Sequence, residues 1–321
     1  MTTQISNLQS KISNLALMPI RKSKWFNSLF VDADGETYPS NDWYRRHEER
    51  NFDVVVLGSA SAKWAFDFRD CGLKCMNWAQ APQTLVEDYR LLRNFHSILR
   101  SGGYVIITVM PFTSLNKQTG IYDAFKYLKI NSQEPIEPHL YEEACRYFRN
   151  PLLFGRPAIS AGIRYLLRRE WPTDTPEVWA DTNPMDEGQL KRDALHFVNG
   201  WKSQFGIASF DDDLTAPNAE ARRFRVGLMQ TIIDFCLERD YQPVWLIPPV
   251  TACLASHFTP RFQETYIYSF MKEVQRDIPL LDYSKVAELQ DKDLYFNSIF
   301  LNQRGRKMFT QRVLSDLFNL Q

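Results

Sequence analysis

The stretch Asp53-Val54-Val55-Val56-Leu57, followed by Gly58-Ser59-Ala60-Ser61, constrains this chain more than any other. Four consecutive apolar residues, three of them β-branched, specify a strand buried on both faces, as in a parallel sheet. The small residues after it let the chain turn sharply into a helix, expected over Ser61–Phe68. Ligands of open α/β sheets bind beyond the carboxyl ends of the strands. The turn at 58–61 is therefore the first place where chemistry is expected.

The sequence after this turn alternates. A second strand is expected over Leu73–Trp78, then a helix over Gln83–Leu99 with Leu85, Tyr89, Leu92, Phe95 and Leu99 at helical spacing. Ser101-Gly102-Gly103 closes that helix, and a third strand follows over Tyr104–Met110. The rhythm returns with a helix over Asn218–Asp240 and a strand over Pro243–Ile247. A helix over Pro260–Arg276, a short strand over Pro279–Asp282 and a last helix over Asn302–Phe318, with Asn302 as its N-cap, complete it. Strand and helix in alternation with short links predict a doubly wound α/β fold with a five-stranded parallel sheet.

Two regions stand outside the alternation. Residues 1–50 read as an amino-terminal arm, with an amphipathic helix over Gln4–Leu17, an Asp-Gly turn at 32–35 and a helix over Asp42–Arg50. The α/β domain is expected over 51–321, interrupted by a helical insertion over about 111–218 that would cap the site. Pro135, Pro138, Pro151, Pro157, Trp171, Pro172, Pro176, Trp179 and Pro184 punctuate it, and helices are expected over His139–Arg149, Ala158–Arg169 and Glu187–Trp201.

Charge and cysteine content exclude several classes. The 321 residues carry 38 Lys+Arg and 38 Asp+Glu, so chain-wide attraction to nucleic acid or anionic lipid is not supported. The five cysteines (Cys71, Cys75, Cys145, Cys236, Cys253) form no CxxC pair and read as free thiols, Cys71 and Cys75 included. No apolar run approaches the ~18–20 residues that span a bilayer, and the amino terminus does not read as a secretory signal. A soluble cytoplasmic protein without metal or cofactor is the expectation.

A family resemblance rests on three stretches. They are the opening strand with Gly58-Ser59, the segment Asn77-Trp78-Ala79-Gln80-Ala81, and the tail Tyr295-Phe296-Asn297-Ser298-Ile299-Phe300-Leu301-Asn302-Gln303-Arg304-Gly305. The tail resembles the last block of the SGNH (GDSL-like) hydrolases, Phe-x-Asp-x-x-His-Leu-Asn-x-x-Gly, and the nearest likeness is to bacterial members that modify cell-surface polysaccharide. The resemblance covers roughly residues 50–110 and 220–318 and leaves the insertion out. It implies a three-layer αβα sandwich of flavodoxin-like, SGNH-type build. It also implies ester hydrolysis or acyl transfer by a Ser-His-Asp triad.

All three chemical positions depart from that pattern. Ala60 stands where the family has its nucleophile, Asn297 where it has Asp, and Phe300 where it has His. A methyl group cannot attack, a phenyl ring cannot take a proton, and an amide cannot stabilise an imidazolium by charge. A positioned general base alone is worth about 10²–10⁴-fold. The family's oxyanion glycine has Ala81 as its nearest match, and its Asn after the third strand has none, Asn116 being out of register.

Other residues offer replacements. Ser59 and Ser61 flank the changed position, Ser59 fixing the turn and Ser61 serving as a helix N-cap in the plainer reading. His257 is the spare imidazole with the best placement, ahead of His47, His96, His139 and His196. Asp211-Asp212-Asp213 reads as a solvated acidic turn rather than a metal cluster. Arg164, Arg168 and Arg169, and further on Arg222, Arg223 and Arg225, read as solvated basic faces, with an anionic sugar or phosphate as the alternative. Trp64, Trp78, Trp179, Trp201 and Trp245 are core or sugar-stacking residues.

The expectation is a pocket that has lost its chemistry. It would be lined by Gly58, Ser59, Ser61, Asn77, Ala81 and Asn302, and would hold a carbohydrate or acylated sugar, or dock a partner enzyme, in polysaccharide assembly. An active esterase or acyltransferase using Ser59 or Ser61 with a histidine from elsewhere is the alternative. A scaffold without ligand is the third.

Overall fold

The structure, a computed structural model, describes residues 17–30, 49–115, 120–128, 130, 134, 136–137, 140–169 and 185–319. The chain divides into two compact units. One comprises Met1–Asp32, Thr119–Asn131 and Ile136–Thr175; the other comprises Ala33–Gln118, Ser132–Pro135 and Pro176–Gln321.

The larger unit is α/β with a five-stranded, all-parallel sheet. Its strands are β1 (Phe52–Leu57), β2 (Cys75–Asn77), β3 (Leu99–Thr108), β4 (Gln242–Ile247) and β5 (Leu280–Asp282), in the order 2-1-3-4-5. Sequence order reverses between β1 and β3, where such sheets open a crevice. Val54, Val55 and Val56 are all fully buried, because both faces of β1 are covered. On one face Val54, Val56, Tyr104, Ile106, Val244 and Leu246 join a single apolar cluster with Phe309, Val313 and Leu317 of the last helix, Gln303–Phe318. Each of those three helix residues is fully buried, which contributes about 1.5–3 kcal/mol apiece. The helices Leu85–Phe95 and Ala216–Leu237 pack against each other, and the latter against β4.

The helices that bear on the site are α1 (Ala60–Lys63), α2 (Leu85–Phe95), α3 (Glu187–Phe205), α4 (Ala216–Leu237) and α5 (Gln303–Phe318). α1 is one turn, shorter than the expected Ser61–Phe68, and the reason lies in α5. The Arg306 guanidinium donates to the Phe66 carbonyl at 2.8 Å, and the Asp67 amide donates to Thr310 Oγ1 at 2.8 Å. Backbone groups that would extend α1 are thus engaged by another element. α2 begins at a capping box of Thr84 and Glu87 and stops at Phe95, since β3 already pairs Leu99 with Phe52. Asn302 caps α5 as expected, its side chain accepting from the Gly305 amide at 2.9 Å.

The smaller unit holds its own apolar cluster, in which Leu17, Ile20, Phe26 and Phe30 pack with Phe125, Ala144, Phe154 and Ala158. Its helices Tyr141–Arg149 and Arg156–Leu166 lie close to the expected spans. The segment 111–218 is therefore divided: 119–131 and 136–175 group with the amino terminus, and 176–218 with the sheet. Helix Gln4–Leu17 (but for Leu17), the 32–35 turn and most of the Asp42–Arg50 helix lie outside the described residues. So do Asn116, His47, His139, Pro135, Pro138, Trp171, Pro172, Pro176, Trp179 and Pro184. No helix among the described residues is long and apolar enough to cross a membrane.

Candidate functional site

Gly58 turns the chain out of β1 with φ 142°, a conformation that side chains disfavour. A Cβ there would lie 2.8 Å from Ala62 Cβ and 3.1 Å from Thr108 Cβ, so glycine also permits β1, α1 and β3 to close together. Beyond this turn lies a cavity of about 360 Å³, at the carboxyl ends of β1 and β3. Gly58, Ser59, Ala60 and Ser61 form one wall, and Gln83, Thr84, Leu85 and Asp88 from the start of α2 another. The chain leaving β3 adds Thr108, Met110, Phe112 and Thr113. α3 presents His196, Phe197, Gly200, Trp201, Gln204 and Phe205, which are spaced to share one helical face. Arg225 of α4, Ile299 and Phe300 complete the lining.

The apolar part of the wall is aromatic. Phe112 stacks on Phe205 with ring centres 4.7 Å apart, and Phe197 meets Phe300 edge-on at 6.1 Å. Phe112 holds φ 73°, an unusual conformation for a bulky residue and one that places backbone strain at the cavity edge. α3 is tied to the tail loop by Asp193, whose Oδ2 accepts from the Ser298 amide at 2.8 Å and from its hydroxyl at 2.5 Å.

The polar part centres on Asp88 and Arg225. Asp88 is buried, and its Oδ1 accepts from the Gly58 amide at 2.9 Å and from Gln83 Nε2 at 2.6 Å. Burial pushes its carboxyl up to about 7 against the opposing effect of those two hydrogen bonds. Arg225 is 4% exposed, and burial lowers its guanidinium, partly offset by the charge of Glu87. Thr108 is buried with its hydroxyl unpartnered among the described residues.

The residues singled out in the sequence are placed as follows. Gly58, Ser59, Ser61, Ala60 and Phe300 line the cavity together. Ser59 Oγ accepts from the Gln83 amide at 3.1 Å, which commits it to holding the turn against α2. Asn297 Oδ1 accepts from the amides of Ile299 and Phe300, shaping the tail loop. Asn77, Ala81 and Asn302 do not line the cavity. Asn77 ties β2 to α1 through Ala62 O at 3.1 Å, Ala81 precedes Pro82, and Asn302 caps α5. His257 is not among the lining residues, and the imidazole that is belongs to His196. His96 instead contacts Tyr241 Oη through Nδ1 at 3.0 Å.

Two basic-face readings are resolved differently. Arg168 and Arg169 are exposed and Arg164 is half-buried, but Arg222 and Arg225 are buried, so the solvated-face reading fails for that pair. Of the tryptophans considered for stacking, Trp201 lines the cavity, while Trp78 and Trp245 are core. Asp211–Asp213 lie on an exposed turn, and among the described residues no group of His, Cys, Asp and Glu is placed to hold a metal ion. All five cysteines are free thiols, with Cys71 and Cys75 sulfurs 4.0 Å apart.

No protein-family model matches this chain, and no curated protein matches it either. The site must be read from its own residues. Asp88 is its unforeseen member, and Arg225, read first as part of a solvated basic face, is buried in its wall; each leaves a mark in the sequence. Asp88 falls three residues after Leu85 and four before Leu92, on the apolar stripe of α2. Arg225 falls on the stripe of α4 that includes Met229, Ile232 and Cys236. A charged residue on a buried stripe is the informative exception to burial statistics.

Proposed function

We propose that this protein is a non-catalytic, SGNH-like binding protein whose cavity receives a small carbohydrate or acylated sugar. A flavodoxin-like three-layer sandwich is the corresponding fold, supported by strand order 2-1-3-4-5 and by a sheet covered on both faces. The observation that carries the reading is that Ala60 and Phe300 line the same cavity. The turn and the crevice are present, and the two side chains nearest to where a nucleophile and a base would act are a methyl and a phenyl. A volume of about 360 Å³ suits a small molecule, and an aromatic wall facing a polar one suits a sugar ring with an acyl substituent. A role in cytoplasmic steps of polysaccharide assembly, alone or beside a partner enzyme, follows from the resemblance.

One observation favours a second reading. Ser61 and His196 line the same cavity, which makes them the pair for a serine esterase or acyltransferase. The two readings separate in one experiment. Purified protein is titrated with free and O-acetylated monosaccharides by calorimetry, then incubated with an activated acetyl ester and a fluorophosphonate. Saturable binding without turnover or labelling is expected. Turnover that disappears in the double variant Ser59→Ala/Ser61→Ala would establish the esterase instead. No binding to any sugar would leave a scaffold.

A further inference from the structure

The described residues include three large buried arginines in the sheet-bearing unit, and they are not equivalent. Arg306 donates to the Phe66 carbonyl through both Nε and an Nη. Arg222 donates to the Thr265 carbonyl at 2.5 Å and pairs with Glu273 at 3.4 Å. Arg225, one turn further along α4, donates a hydrogen bond of 3.4 Å to Ala221 O, the carbonyl of its own helix, and its guanidinium lies 6.0 Å from the ring centre of neighbouring Phe224. No carboxylate pairs with it among the described residues, although it is 4% exposed and lines the cavity. A buried guanidinium without a directly bonded anion is costly, and the cost falls when an anion docks on it with good geometry.

A second feature points into the same space. The Thr108 hydroxyl, 5% exposed, has no hydrogen-bond partner among the described residues, and Thr108 lines the cavity beside Gly58. A buried hydroxyl left without a partner loses the hydrogen bonds it would make to water. Both groups are satisfied by one ligand that carries an oxyanion and a neighbouring hydroxyl.

We propose that Arg225 forms an anion subsite of this cavity and that the ligand is a monoanionic sugar acid, its carboxylate taken by the Arg225 fork and a ring hydroxyl by Thr108. This rests on the carbohydrate-binding reading above and narrows it. A carboxylate rather than a phosphate fits the local charge. Among the described residues Arg225 is the only Lys or Arg in the lining, and the charge of Glu87 already offsets part of its own, so a second negative charge on the ligand would go unmatched. Asp88, buried and raised toward neutrality, presents a carboxylic acid instead of a competing anion over the lower part of the physiological range.

The test uses the full chain and three probes of one ring: glucose, glucuronate and glucose 6-phosphate, by calorimetry at pH 6.5. Glucuronate is expected to bind at least tenfold more tightly than glucose or the phosphate. Arg225→Gln is expected to bring glucuronate down to the level of glucose, and Thr108→Val to weaken it severalfold. If Arg225→Gln does not fold, the wild-type ranking and the Thr108→Val titration still decide. Equal binding of glucose and glucuronate overturns the anion subsite while leaving the sugar pocket intact. Tighter binding of the phosphate overturns the charge match. Binding of none of the three, with none of the free or acetylated sugars bound either, overturns both readings.

Discussion

Replacing Asp88 by Asn isolates the cost of a buried carboxylate under the β1 turn. The folded protein holds the Asp88 proton up to about pH 7, whereas the unfolded chain releases it near the ordinary aspartate value of 3.8. Between those values the folded state binds more protons than the unfolded state, so stability falls as pH rises and levels off above about 7. The shift spans roughly three pH units, and at about 1.4 kcal/mol each the penalty reaches about 4 kcal/mol on the alkaline side. Asn keeps an oxygen for the Gly58 amide and for Gln83 Nε2, the two bonds that hold the turn, and cannot ionise. Urea unfolding of both proteins at intervals from pH 5 to pH 8.5 measures the difference. The stability of Asp88→Asn minus that of the wild type is expected to grow by about 3 kcal/mol across this window. A difference that stays constant with pH would refute the buried-acid reasoning, because an ordinary carboxylate is already ionised at pH 5.

Three further outcomes are expected. Gly305→Ala places a Cβ 2.1 Å from the Leu294 carbonyl oxygen, and should cost about 3 kcal/mol or more, read as a lowered thermal midpoint. Asp193→Ala leaves the amide and hydroxyl of fully buried Ser298 without their acceptor. About 2–3 kcal/mol should be lost, with faster hydrogen exchange at the Ser298 amide. The neighbouring Cys75 sulfur, 4.0 Å away, holds the Cys71 thiol below the ordinary thiol range, so Cys71 should be alkylated fastest of the five cysteines at pH 7. Cys75→Ala should remove that advantage, as peptide mass spectrometry of the labelled protein would show.

What was legible in the sequence, and what was not, follows from the range of the interactions involved. β1 was legible because Val54–Leu57 declare their burial locally, and α5 because Asn302 caps it within three residues. The end of α1 was not, since it depends on Arg306 and Thr310, more than 240 positions away. The same holds for the choice of histidine. His196 reaches the cavity from α3, which Asp193 ties to Ser298 of the tail loop, an arrangement no spacing rule encodes. The division of residues 111–218 between two units escaped for the same reason, being a matter of which apolar faces meet.

The residues behind the family resemblance divide along this line too. Gly58 is required by its φ of 142° and by Ala62 and Thr108, Asn302 by the Gly305 amide, and Gly305 by the approach of Leu294. Each has an architectural reason that any chain turning in this way would share. Positions 60, 297 and 300 have no such constraint toward Ser, Asp or His: Asn297 meets its structural duty with an amide oxygen, and Phe300 packs with Phe197 and Phe296. The presence of the first group therefore speaks for the shape of the turn and the tail, and says little about chemistry. The functional weight passes to groups whose burial has no structural compensation. In this cavity, among the described residues, those are the guanidinium of Arg225, which no carboxylate bonds, and the unpartnered hydroxyl of Thr108. A chain that had kept the turn merely as scaffold would gain stability by replacing either with an apolar residue of similar size.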